Sequence, residues 1–137
     1  MKFAQARLSP PTFAQILGEA AVDLSAAYFD SVHAEYNSRR DLLINRLNAM
    51  EGVVCPNPGG AFYAIARLPD DNTERFCQWL HEDFSHNGTT VMMAPASGFY
   101  ATKGRGSNEV RLAYVLNRED INGAMDCLEA ALAAYRN

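Results

Sequence analysis

The chain has 137 residues, of which 48% are hydrophobic and 20% are charged, and this composition argues against intrinsic disorder. Its net charge of −4 argues against a nucleic-acid partner and against an anionic membrane surface, because both attract basic proteins. No apolar run approaches a membrane span, and the N-terminus lacks the apolar segment of a signal peptide. The cysteines Cys55, Cys77 and Cys127 form no Cys-x-x-Cys pair, so we expect reduced thiols and a cytoplasmic location.

Two helices are predicted for the first third of the chain. The stiff Ser-Pro-Pro-Thr segment at residues 9–12 precedes an alanine-rich helix over about residues 12–24. A longer helix is predicted from about residue 26 to residue 50, because apolar residues recur there at helical spacing, and Gly52 ends it. We expect this apolar stripe, which runs from Tyr28 to Met50, to lie in the core.

The rest of the sequence predicts strands separated by helices. Strands are predicted at residues 53–55, 61–68, 89–93 and 109–115, and helices at residues 70–88 and 117–135. This order indicates an α+β fold with a small mixed or antiparallel sheet of three to four strands packed against helices, and a long N-terminal helix. The irregular segment at residues 95–107 is a candidate functional loop, because long irregular segments in compact domains are often functional.

The strand predicted at residues 109–115 carries an arginine among apolar neighbours. Alternation places Val110, Leu112 and Tyr114 on one face, and Arg111 on the opposite face. A guanidinium in such a setting needs an anion, and its planar fork can bind a carboxylate through two parallel hydrogen bonds. Two interpretations are open: Arg111 binds the carboxylate of a ligand, or it forms a structural ion pair with an acidic residue of the same fold.

No complete catalytic or metal site follows from residue spacing. His81 and His86 resemble a zinc-protease helix, but five helical steps separate the two rings by roughly 140° around the axis. The Gly-Arg-Gly-Ser segment at residues 104–107 precedes a strand, whereas a dinucleotide loop follows a strand, so a surface turn is expected. We therefore predict no metal ligands and no catalytic residue within this chain.

Three segments, in their order and approximate spacing, resemble the C-terminal portion of class I/II (fold type I) pyridoxal-phosphate-dependent aminotransferases of the aspartate-aminotransferase-like branch. They are Pro-Gly-Gly-Ala-Phe-Tyr at residues 58–63, Val-Met-Met-Ala-Pro-Ala-Ser-Gly-Phe at residues 91–99, and Val-Arg-Leu-Ala-Tyr at residues 110–114. The resemblance extends from about residue 6 to the end of the chain. It implies that residues 1–25 leave a large domain and that residues 26–137 form the aminotransferase C-terminal small domain.

The resemblance also implies roles for individual residues. Arg111 would bind the α-carboxylate of an amino-acid or 2-oxo-acid substrate, and Phe62 would lie near the substrate. The segment at residues 95–100 would border the active-site cleft. The full-length enzyme would use pyridoxal phosphate, and it would form a homodimer.

The lysine that binds the cofactor in this family has no counterpart in this sequence. Lys2 and Lys103 are the two lysines, and neither lies in the Ser-x-x-Lys or Ser-Lys setting of the family. The residues that hold the pyridine ring and the phosphate belong to the larger domain of such enzymes. We therefore expect a C-terminal piece of an aminotransferase, with Met1 an internal methionine or an artificial start, that is inactive alone and binds no cofactor by itself.

Two other functions stay open. The chain could be a stand-alone amino-acid-binding or regulatory module that uses Arg111 without catalysis. It could also be a structural module that self-associates through exposed apolar helix faces.

Overall fold

The computed structural model describes residues 10–135. These residues form helices α1 (Thr12–Ala21), α2 (Ala26–Ala49), α3 (Thr73–Glu82) and α4 (Arg118–Tyr135), and strands β1 (Tyr63–Arg67), β2 (Ala94–Pro95) and β3 (Glu109–Ala113). The chain divides into two compact units, of which the first ends at Ala34 and the second begins at Glu35. None of the described helices is long and apolar enough to cross a membrane.

The first unit contains α1 and the beginning of α2. Pro11 precedes α1, where a proline costs no hydrogen bond, and the Gln15 amide donates to the Pro11 carbonyl over 3.1 Å. Among residues 10–34 no side chain is buried. The large apolar side chains of α1 are instead exposed to solvent: Phe13, Ile16 and Leu17.

The second unit contains a three-stranded antiparallel sheet in the order β1-β3-β2. Arg111 at the centre of β3 lies between Ile65 of β1 and Ala94 of β2. Buried and accessible residues alternate along both longer strands, so one face of the sheet is covered and the other is open. The predicted α+β fold is confirmed, and the sheet has three strands.

The covered face of the sheet packs against one hydrophobic core. Val110 and Leu112 of β3 contribute to it, together with apolar residues of α2, α3 and α4: Leu43, Leu47, Phe76, Leu80, Met125 and Leu128. The predicted stripe of the long helix is therefore buried in its C-terminal half. It is not buried at its start, because Tyr28 is 50% exposed.

Two predicted strands differ from the structure. The segment at residues 89–93 forms no sheet strand; β2 comprises only Ala94 and Pro95, and a proline is tolerated there because β2 is an edge strand. Residues 89–93 keep an alternating burial pattern, with Val91 and Met93 buried, but this pattern does not ensure pairing. The segment at residues 53–55 contributes a single bridge, in which Val54 pairs with Arg67.

Candidate carboxylate-binding site

Arg111 lies on the open face of the sheet, as alternation along β3 predicts. Val110, Leu112 and Tyr114 are buried on the opposite face, and Arg111 itself is half-buried. Because β3 is the central strand, both of its edges are paired, which fixes the position of the Arg111 backbone. The side chain therefore projects from the most constrained part of the sheet.

Two aromatic rings flank the Arg111 guanidinium. Its central carbon lies 4.6 Å from the centroid of the Phe99 ring and 5.2 Å from the centroid of the Tyr63 ring. Tyr63 is the first residue of β1, and Phe99 ends a short 3-10 helix (Ser97–Phe99) that follows β2. Both contacts are of cation–π type, which attracts a guanidinium without neutralising its charge.

Within residues 10–135, no aspartate or glutamate forms an ion pair with Arg111. The interpretation of this residue as one half of a structural ion pair therefore finds no support in the described part of the fold. A guanidinium that no ion pair neutralises is the electrostatic condition that a carboxylate-binding site requires.

Phe62 contacts the Tyr63 ring, which in turn lies against the Arg111 guanidinium. Its side chain is 52% exposed and makes an edge-to-face contact with Tyr63, with 5.7 Å between the ring centroids. The Tyr114 amide donates to the Phe62 carbonyl over 2.9 Å, and the Tyr114 hydroxyl donates to the Ala61 carbonyl over 2.9 Å. These two bonds attach the segment before β1 to the end of β3.

Tyr100 and Glu109 are part of the site although residue patterns alone did not reveal them. The Tyr100 hydroxyl donates to a Glu109 carboxylate oxygen over 2.5 Å, and this bond raises the pKa of the Tyr100 phenol. Gly106 adopts a φ of +74°, and a Cβ there would lie 2.5 Å from the Tyr100 ring. Glycine therefore meets both a conformational and a steric requirement at this position.

Further hydrogen bonds hold the segment that carries Phe99 and Tyr100. The Ser97 hydroxyl donates to a Glu74 carboxylate oxygen over 2.6 Å. The buried Thr73 hydroxyl lies 3.1 Å from the Ser107 carbonyl and 3.0 Å from the Glu109 carbonyl. The two ends of the segment are thus attached to the N-terminal turn of α3.

The remaining reactive groups do not form a second site in the described part of the chain. Residues 10–135 contain no group of three His, Cys, Asp or Glu side chains that could hold a metal ion. All three cysteines are buried, and burial raises the pKa of each thiol, that of Cys77 to about 11. Lys103 is exposed in a turn, and Lys2 lies outside the described residues.

Comparisons with known proteins give a consistent result. The aspartate aminotransferase of Pyrococcus horikoshii is 31% identical over 126 residues, which cover 88% of this chain and 30% of that protein. The alanine aminotransferase of Pyrococcus furiosus has a TM-score of 0.73 at 27% identity, covering 97% of this chain and 33% of that one. The α-aminoadipate aminotransferase of Thermus thermophilus, solved with N-(5'-phosphopyridoxyl)-L-leucine, shares the fold, with a TM-score of 0.76 at 24% identity over 95% of this chain and 33% of that one.

No model of a known protein family matches the chain. The chain spans about a third of the length of the curated relatives that it matches. Over this length the sequence matches and the fold agree on a single class of enzyme. The chain therefore belongs to the aminotransferases, as a C-terminal small domain of the fold type I, pyridoxal-phosphate-dependent kind.

Proposed function

We propose that this chain supplies the substrate-carboxylate site of an aminotransferase that moves an amino group between an amino acid and a 2-oxo acid. The observation that carries the proposal is the Arg111 guanidinium, which lies on the open face of the sheet between two rings. No carboxylate of the described residues neutralises it. Pyridoxal phosphate would act as the amino-group carrier in the complete enzyme.

Arg111 would act by positioning the substrate. The rings of Phe99 and Tyr63 restrict the guanidinium, so less conformational entropy is lost when it binds a carboxylate. A substrate bound by two parallel hydrogen bonds has a defined orientation relative to groups on the rest of the enzyme. Phe62, whose exposed ring contacts Tyr63, would lie near the substrate.

The proposal includes the partners of the complete enzyme. A large domain would supply the lysine and the remaining cofactor-binding residues, and two copies would form a homodimer. The buried, unpaired cysteines are consistent with a cytoplasmic location. Since neither lysine lies in the sequence setting of the family's cofactor lysine, we expect borohydride treatment of the chain with pyridoxal phosphate to add cofactor mass at Lys2 or Lys103 only unspecifically, rising with the cofactor concentration without saturation. Specific attachment to either lysine would contradict this part of the proposal.

The carboxylate site can be tested with two ligands that differ only in the group that Arg111 should recognise. We expect L-alanine to shift the Arg111 side-chain NMR signal of the 137-residue chain, with saturation at millimolar or higher concentration. L-alaninamide, which lacks the carboxylate, should leave the signal unchanged. R111Q should abolish the response of the neighbouring signals of Tyr63 and Phe99. The control R75Q, which removes an exposed arginine of α3, should preserve that response.

The ligand responses also distinguish a carboxylate site at Arg111 from a stand-alone binding module and from a self-associating module. Equal responses to alanine and alaninamide would contradict a carboxylate site at Arg111. Saturation at sub-millimolar alanine, aspartate or glutamate would favour the stand-alone amino-acid-binding module. Concentration-dependent elution in gel filtration would favour the self-associating module, for which the exposed Phe13, Ile16 and Leu17 of α1 are the candidate contact residues.

A further inference from the structure

Strand β3 places a carboxylate close to the arginine that is proposed to bind one. Glu109 and Arg111 are two residues apart on the same face, so their Cα atoms are separated by about 7 Å. Both side chains are long enough to meet across this distance. Glu109 is therefore the internal acid best placed to occupy the Arg111 guanidinium and to exclude an external ligand.

Glu109 nevertheless bonds to neither nearby arginine in the described residues. Arg67 lies directly opposite Glu109 in the register of β1 and β3, yet no ion pair joins these two residues. The Glu109 carboxylate instead accepts the 2.5 Å hydrogen bond of the Tyr100 hydroxyl. The Glu109 carboxylate is thus bonded to the tyrosine, although Arg67 and Arg111 lie on the same sheet face.

The backbone around Tyr100 favours this arrangement. The ring packs where Gly106 has no side chain, and the Tyr100 amide donates to the Ser97 carbonyl over 3.3 Å. The same short segment carries Phe99, whose ring lies against Arg111. One segment therefore contacts the guanidinium through Phe99 and holds the competing carboxylate through Tyr100.

We propose that Tyr100 is a positioning residue that keeps the Glu109 carboxylate away from Arg111, so that the guanidinium stays available to a ligand carboxylate. This inference rests on the proposed function of Arg111. Without the Tyr100 hydroxyl, Glu109 is free to rotate along the sheet face and to form an internal ion pair with Arg111. That ion pair then competes with any carboxylate ligand.

The first test needs no ligand. In Y100F we expect the Arg111 Nε–H signal to move toward its carboxylate-bound position, and its exchange with water to slow. The double variant Y100F/E109Q should return the signal to its wild-type position, because the glutamine cannot form the ion pair. An unchanged signal in Y100F would overturn the proposal, and so would pairing of Glu109 with Arg67 alone. Y28F, which alters an exposed tyrosine of α2, is the matched control and should have no effect.

The second test measures competition with acetate as the probe. An exposed ion pair weakens binding of a competing carboxylate modestly, so Y100F should raise the apparent Kd for acetate about twofold to fivefold. E109Q in the same chain should restore the wild-type value. If Y100F weakens acetate binding and the added E109Q substitution does not restore the wild-type Kd, the proposal is overturned. If acetate causes no Arg111-specific response in the wild-type chain, the proposed function fails, and the ligand-free test still decides the role of Tyr100.

Discussion

At the scale of single residues, the environment of Arg111 makes Phe99 a direct target for substitution. F99L removes the nearer of the two ring contacts while keeping an apolar side chain. We expect the Arg111 Nε–H group to become more mobile in NMR relaxation, with a cost in unfolding free energy of about 0.5–1 kcal/mol. F62L is the matched control, because the Phe62 ring contacts Tyr63 instead of the guanidinium. Equal mobility in both variants would contradict the assigned role of Phe99.

The buried thiol of Cys77 should make stability depend on alkaline pH. Burial raises its pKa to about 11 from the ordinary value of 9.0. The unfolded state therefore ionises at lower pH than the folded state, so this contribution to stability is complete below pH 9 and is lost as the pH rises toward 11. We expect a loss on the order of 2 kcal/mol across this window, which C77A should lack in denaturation experiments at successive pH values. If the unfolding free energy of the wild-type chain and of C77A falls equally between pH 9 and pH 11, Cys77 is not the cause of the pH dependence.

Single-residue alternation predicted the face of Arg111 but not its partners. Three apolar residues at every second position, Val110, Leu112 and Tyr114, set the orientation of β3. The contact with Phe99 depends on an irregular segment whose backbone has no periodic signal. The bond between Tyr100 and Glu109 likewise depends on Gly106, which adopts a positive φ and leaves room for the Tyr100 ring. A glycine in the sequence allows a positive φ, but it does not predict that the residue adopts one.

At the scale of elements, the N-terminal turn of α3 is a structural anchor for the segment before β3. The Thr73 hydroxyl lies within hydrogen-bond distance of the Ser107 and Glu109 carbonyls. T73V keeps the shape of the side chain but removes the buried hydroxyl and its hydrogen bonds, while backbone N–H groups of Thr73 and Ala96 still donate to the two carbonyls. We therefore expect a loss of about 0.5–1.5 kcal/mol in unfolding free energy. T73S retains the hydroxyl and should lose less in the same urea titration. If T73S is as destabilised as T73V, the hydrogen bonds are not the cause.

The elements themselves differ in how well the sequence predicts them. Asn72 and Asn117 each accept a backbone amide bond at the start of a helix, from Arg75 and from Asp120, and these starts were predicted within a few residues. Strand β2 was predicted five residues too early, because residues 89–93 have the apolar alternation of a strand. The segment that pairs with β3 is Ala94–Pro95, which aligns with Arg111 and Val110. This register depends on the tertiary packing of β3, so the local sequence of residues 89–95 does not predict it.

At the scale of the whole molecule, the two compact units should differ in resistance to proteolysis. No side chain of residues 10–34 is buried, whereas the unit that begins at Glu35 has a continuous apolar core. Isolated helices without tertiary packing have little stability. We expect limited chymotrypsin digestion to cleave first at Phe13, Tyr28 or Phe29, and mass spectrometry to detect a resistant fragment that extends to the C-terminal region. Initial cleavage within the core unit would contradict this.

The α+β fold was predictable from the sequence because the helices and the two longer strands carry strong apolar patterns. The aminotransferase relationship was also recognisable, since three motifs occur in order along the chain. The boundary near residue 26 that the resemblance implies stays a prediction. The extent of burial in the first unit was not predictable, because an amphipathic helix has the same pattern whether or not its partner is part of the chain.

A crystal structure of the chain grown with a high concentration of L-alanine tests carboxylate binding by Arg111 directly. We expect the ligand carboxylate on Arg111, with both oxygens within about 3.2 Å of guanidinium nitrogens and the rings of Tyr63 and Phe99 in place. An Arg111 paired with an internal acid while alanine binds elsewhere or not at all would contradict this role of Arg111.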